Sequence, residues 1–150
     1  MKRNLEIIDI IRYVPYGCAV KCKVSNDHGI YWITDVNITG ETVRLNGVRA
    51  GYPYRLDQIK PYLHPLSDLT KEICADNYKD GSPFIPVKEL KAEIPGLDNT
   101  AESFELWQAD ANQWAKVFEL LDYWMFDYKG LIRERLAIDV NTLNENPYAQ

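Results

Sequence analysis

The spacing of apolar residues changes period partway along this chain, and no single kind of secondary structure accommodates both parts. Up to Ile59 the pattern is one of short alternating runs. In CAVKCKV, Cys18, Val20, Cys22 and Val24 share one face of an extended segment while Lys21 and Lys23 share the other. Within 111–129 the apolar residues Trp114, Val117, Phe118, Leu121, Trp124 and Met125 recur at helical spacing and make one wide stripe. A period of two builds a sheet and a longer period builds a helix, so the chain is α+β. Between the two patterns lies IKPYLHPLSDLT, residues 59–70. Pro61 and Pro65 each bias the preceding residue towards extended geometry. They predict a short, stiff crossing, with His64 packed at the junction rather than serving as a ligand. The expected organisation is a small β-rich unit over 1–64 and a mainly helical unit over 65–150 packed on it, or one compact domain containing both.

The β-rich part reads in more detail. LEIIDIIRYV, residues 5–14, predicts a short helix or single turn stopped by Pro15-Tyr16-Gly17. Strands follow at 18–25 and 30–38, separated by the turn-forming SNDHG. In the second strand Ile30, Trp32, Thr34, Val36 and Ile38 are expected to face the core. TVRL and VRAGY flank Asn46-Gly47, a tight-hairpin signal, and YRLDQI closes the set. Four or five short strands in so little chain predict a small, strongly bent antiparallel sheet or an SH3-like barrel.

In the second part, Ser67 or Asp68 is placed to cap a short helix through LTKEIC. Pro86 suits the first turn of a helix that Pro95-Gly96 ends. ESFELWQA is ambiguous, with a slight lean towards strand. The 111–129 helix opens with Asp110 and Gln113 at capping-box spacing, and Lys129 and Gly130 suit its far end. LAIDV, 136–140, predicts a last strand, and NTLNENPYAQ reads as a tail.

Charge divides with the pattern. The net charge is −5 over 150 residues. Residues 1–65 carry nine Lys/Arg against six Asp/Glu, whereas 66–150 carry eight against sixteen. No apolar run approaches the roughly 20 residues that cross a bilayer. Glu6, Asp9 and Arg12 interrupt the apolar stretch that a signal peptide would need. The expected location is a bacterial cytoplasm.

The three cysteines are Cys18, Cys22 and Cys74. On a strand Cys18 and Cys22 stand roughly 13 Å apart, too far to bridge. With His28 and His64 the only histidines, neither a zinc site nor a Cys–His nucleophile pair is supported, and no metal or cofactor is expected. There is no Gly-rich phosphate loop, no Gly-x-Ser-x-Gly elbow and no Cys-x-x-Cys.

The stretch IKPYLHPLSDLTKEI, with FDYKGLIRERLAIDVNTL at 126–143 and the opening IDIIRYVPYG, resembles a group of uncharacterised short proteins encoded by gut Bacteroidales and their phages or prophages. Those proteins carry a phrase like Lys-Pro-Tyr-Leu-Arg-Pro-(Leu/Met)-Ser at this place, where His64 stands in the position of the usual Arg. The middle, 75–110, is outside the resemblance. What it implies is a small accessory protein of a mobile element. It implies no catalytic residue.

Aromatic residues are the surplus, with ten Tyr and four Trp. Tyr16, Tyr52, Tyr54 and Tyr62 fall in the basic part with Arg49 and Arg55, and these six are the candidate partner-binding residues. Tyr and Arg dominate protein-binding hot spots, and basic plus aromatic is also the composition of nucleic-acid-binding sheets. The function expected is a non-enzymatic accessory protein that engages a protein partner. The alternatives are nucleic-acid binding through the basic sheet, or inhibition of a host nucleic-acid enzyme by the acidic part. An enzyme ranks last.

Overall fold

A computed structural model describes residues 3–24, 29–47, 52–75 and 78–148. The chain is α+β. A short helix, α1 (Ile7–Ile10), leads into a Pro15 turn that Gly17 closes at φ 86°. Strands β1 (Ala19–Cys22), β2 (Tyr31–Asn37), β3 (Thr42–Leu45), β4 (Tyr54–Arg55) and β5 (Ile59–Pro65) follow. After helices α2 (Pro86–Glu93) and α3 (Ala111–Tyr123) come two very short strands, β6 (Phe126–Asp127) and β7 (Ile138–Asp139). The sheet order is β4-β3-β2-β1-β5-β6, with β7 also on β5. Pairing is antiparallel from β4 through to β5, whereas β6 and β7 run parallel to β5. Among the described residues no pairing joins β4 back to β5 or β6, so the sheet is open rather than a closed barrel.

The stretch that reads as a crossing is strand β5, in the middle of the sheet. Pro61, Tyr62, Leu63 and His64 are all buried. Two prolines argue against a central strand because each removes a ladder N–H. Here they sit where ladders stop: Pro61 is the last register position against β1, opposite Val20, and Pro65 the last against β6, opposite Asp127.

Burial on β2 is split between its faces, because Ile30, Trp32 and Val36 of the expected face pack against the core only half-buried. Tyr31 and Ile33 are buried, Trp32 and Val36 are half-buried, and Ile38 is exposed. The register shifts between Ile33 and Asp35, so strict alternation does not run the length of the strand. The second arm of the hairpin expected at Asn46-Gly47 lies outside the described residues over 48–51, and the partner that β3 has among the described residues beyond that point is β4, through Thr42↔Arg55 and Val43↔Tyr54.

Two apolar cores form. One gathers the faces of β1–β5, including Cys18, Val20, Tyr54 and Tyr62, and also takes Met125, Leu131, Val140 and Tyr148. The other packs α2 and α3 with Leu69, Phe84, Trp107, Trp124 and Phe126. The stretch that reads as a tail therefore contributes to the first core. The Tyr148 hydroxyl accepts from the Ala19 N–H at 2.9 Å and donates to the Tyr62 carbonyl at 2.8 Å.

Helix α3 opens as its sequence predicts. Asp110 accepts from the Gln113 N–H at 2.8 Å, and the Gln113 side chain accepts in turn from the Asp110 N–H at 2.8 Å. It ends at Tyr123, earlier than Lys129-Gly130 would place it, because Met125 turns left-handed at φ 62°. That turn aims the Met125 carbonyl at the His64 N–H, 2.7 Å away, and starts β6. Gly130, at φ 82°, instead serves the next turn. There the Asp127 carboxylate accepts from the Leu131 and Ile132 N–H groups, at 2.8 Å each.

Candidate functional site

Beyond β5 the chain makes a 3-10 turn, Leu66–Thr70, rather than a helix capped by Ser67 or Asp68. Asp68 points inward instead. Its Oδ2 lies 3.0 Å from His64 Nδ1 and 2.9 Å from Asn141 Nδ2, with Lys71 Nζ at 3.5 Å from Oδ1. A carboxylate only accepts, so the shared proton is on His64 Nδ1. Burial pushes the Asp68 carboxyl up, but the His64 and Asn141 hydrogen bonds outweigh it and hold the group below the usual range. The His64 ring stacks on Phe126 with centroids 5.2 Å apart. This buried network fixes the 3-10 turn, whose opposite side carries Leu66, Ser67, Leu69 and Thr70 into an open cleft.

The facing wall is the loop 99–107. An isolated antiparallel bridge, Asp98↔Gln108, closes its base with N–H···O distances of 3.2 and 2.9 Å. Asn99 is buried and donates through Nδ2 to the Val87 carbonyl at the start of α2, at 2.8 Å. Trp107 Nε1 donates to the Ala101 carbonyl at 3.0 Å. The loop is thus tied at both ends and across its middle. The residues that read as strand or helix, ESFELWQA, form a single 3-10 turn, Phe104–Leu106. The cleft between the walls encloses about 750 Å³, within the roughly 300–1,000 Å³ typical of ligand sites. Leu66, Leu69, Val87, Phe104 and Trp107 supply apolar surface, and Glu102 and Glu105 supply the only charges that the described residues place on its lining.

A row of aromatic rings leaves the cleft along α3. Phe104 meets Trp107 at 5.0 Å and Trp114 at 5.5 Å. Trp114 stacks on Phe118 at 5.7 Å, and Phe118 meets Tyr128 at 4.9 Å. Of these rings only Trp107 is fully buried; the others keep one side to solvent. At the far end Tyr128 accepts from Arg12 Nη1 at 3.0 Å and donates to the Asp122 carboxylate. Burial pushes the Tyr128 hydroxyl up to about 12, with Asp122 adding to the rise.

The six candidates drawn from composition do not converge. Tyr54 and Tyr62 are core residues rather than surface ones. Tyr16 packs on Tyr123 at 4.9 Å and is half-buried. Tyr52 and Arg55 are exposed near β4, with Tyr52 4.8 Å from Tyr54 and Arg55 Nε 3.2 Å from Asp57. Arg49 lies outside the described residues. Sequence reasoning missed the cleft, because its walls are irregular and lie some thirty residues apart. A hint was available in Glu102, Glu105 and Asp110 near Trp107, a grouping that reads most simply as a solvated face.

Among the described residues no group of three or more His, Cys, Asp or Glu is placed to hold a metal ion. No helix of the described residues is long and apolar enough to cross a membrane. No family model, curated protein or solved structure matches the chain.

Proposed function

We propose that this is a non-enzymatic binding protein that engages a protein partner through the cleft and the ring row beside it. The observation that carries this is continuity. The apolar walls of the cleft pass through Phe104 into Trp114, Phe118 and Tyr128 without a break, and these rings are half open to solvent. Large aromatic side chains leave water at a high gain in free energy when a partner covers them. The resemblance to Bacteroidales and phage proteins supports an accessory role in a bacterial cytoplasm. Nucleic-acid binding by the basic sheet has less support, because Tyr54 and Tyr62, two of the four candidate tyrosines, are in the core. Site-specific photo-crosslinking in the native host tests the reading. A crosslinker at Ser103 or Phe118 should capture one protein, and the same group at Glu41, in the β2–β3 turn, should not. Equal capture from all three positions would count against the cleft.

A further inference from the structure

Within the partner-binding reading just given, on which this rests, we infer that the cleft takes an extended cationic segment. The segment places an apolar side chain between Leu66, Leu69 and Trp107 and a lysine or arginine against Glu102 and Glu105. Three independent features point to that chemistry.

The first is uncompensated charge. Glu102 and Glu105 are exposed, line the cleft, and make no ion pair or hydrogen bond among the described residues. Three buried acids elsewhere do have a cation beside them: Asp9 has Arg3 at 2.7 Å, Glu89 has Lys79 at 2.8 Å and Asp68 has Lys71 at 3.5 Å. Over residues 92–115 the chain has Glu93, Asp98, Glu102, Glu105 and Asp110 and no lysine or arginine. The field at this wall therefore attracts cations and repels nucleic acid.

The second is the aromatic wall. Phe104 lies between the two glutamates in sequence, Trp107 two residues after the second, and both line the same cleft. Phe104, half open to solvent and adjacent in sequence to Glu105, offers a ring to a guanidinium or ammonium held there, and ring quadrupoles attract cations. The third is unspent hydrogen-bonding capacity. The hydroxyls of Ser67, Thr70 and Ser103 line the cleft without a hydrogen bond among the described residues. They stand on both walls, where the backbone of an extended segment would pass between them. The volume, about 750 Å³, holds more than one side chain.

The test is fluorescence anisotropy with the full chain and three labelled peptides of equal length. Each has a central leucine, flanked by lysines and serines, by glutamates and serines, or by serines alone. The lysine peptide should bind tightest. Its Kd should rise about tenfold in Glu102→Lys/Glu105→Lys, as expected when two attractive charges become repulsive, and should rise with added salt. Ser67→Trp, a bulky change at an exposed position, should fill the cleft and abolish binding of every peptide. If the glutamate peptide binds as tightly as the lysine peptide, or charge reversal changes nothing, the cationic assignment is wrong. The cleft then still stands as a site, provided Ser67→Trp weakens binding. If Ser67→Trp has no effect on any peptide, or none binds, both the assignment and the cleft reading fall.

Discussion

Tyr148→Phe isolates what one hydroxyl does for the first core. The ring is 2% exposed and stays in place in the variant, so little cavity forms. What goes is a pair of hydrogen bonds, from the Ala19 N–H at 2.9 Å and to the Tyr62 carbonyl at 2.8 Å. Each is worth about 1 kcal/mol net, and a buried donor left without a partner adds about 1–3 kcal/mol. Ala19 is fully buried, and the Tyr148 hydroxyl is the hydrogen-bond acceptor that its N–H has. These terms overlap, so the expected loss is about 2–4 kcal/mol, out of the roughly 5–15 kcal/mol that holds a domain of this size together. Urea denaturation followed by tryptophan fluorescence measures it. The midpoint should fall while the slope stays the same, because the surface exposed on unfolding is unchanged. Tyr16→Phe, at a half-buried ring whose hydroxyl makes no hydrogen bond among the described residues, is the control and should cost under about 0.5 kcal/mol. If Tyr148→Phe costs no more than that control, residues 143–148 are not anchored as described and the hydrogen-bond reasoning is refuted.

Helix α3 allows a sharper contrast than its stripe alone suggests: Leu121→Ala, at a fully buried site, should cost about 2–5 kcal/mol. Phe118→Ala should cost clearly less, because that ring is half-buried in the outer row, and Lys116→Ala or Glu119→Ala should leave the melting curve nearly unchanged. Asp68 should make stability depend on acid. Its lowered carboxyl contributes stability that is fully present above the unfolded value of about 3.9 and is lost as pH falls through the folded value. The stability gap between wild type and Asp68→Asn should therefore shrink as urea midpoints are followed from pH about 7 towards pH about 2, and a gap independent of pH would place its origin elsewhere. Burial pushes the Cys18 thiol up to about 12, and Cys22 is buried while Cys74 is partly open. A thiol reagent should label Cys74 first in the native protein, with Cys18 and Cys22 reacting only after unfolding.

What could be read from the sequence was whatever depended on near neighbours. The Asp110–Gln113 box and Pro86 at the first turn of α2 are local devices, and both occur where spacing places them. The alternation that buries Cys18, Val20 and Cys22 holds for the same reason, but it stops where β1 ends, and Val24, read onto the same face, is exposed. On β2 the count of apolar residues favoured Ile30, Trp32, Val36 and Ile38. The most deeply buried positions lie before the register shift, where Tyr31 and Ile33 face inward, and Ile30, Trp32 and Val36 pack against the core only half-buried. β5 was hidden because two prolines normally exclude a central strand, and only the positions at which its partners stop explain them. Tyr148 stands in a polar stretch with no periodicity, so its place in the core depends on groups more than eighty residues away. The cleft was hidden in the same way: its walls are loops tied by Asn99, Trp107 and Asp68, and none of those contacts leaves a pattern in the chain.

The two parallel partners of β5 have a bearing on how quickly the protein reaches its native state. His64 pairs with Phe126, and Tyr62 pairs with Ile138. Each pairing closes a loop that contains the whole of the second core. Loop-closure entropy must be overcome before such pairs return any free energy, and non-local strand pairing of this kind slows folding by orders of magnitude relative to local contacts. β1 to β4 can meet through short connections, but β5 has two of its neighbours only after α2 and α3 have been made. On the ribosome, β5 must therefore wait with one flank unpaired while some sixty further residues are synthesised. Over that interval it is an apolar strand with open backbone groups, the kind of edge that joins other chains. Pro61 and Pro65, which each remove an N–H from it, blunt that edge during the wait.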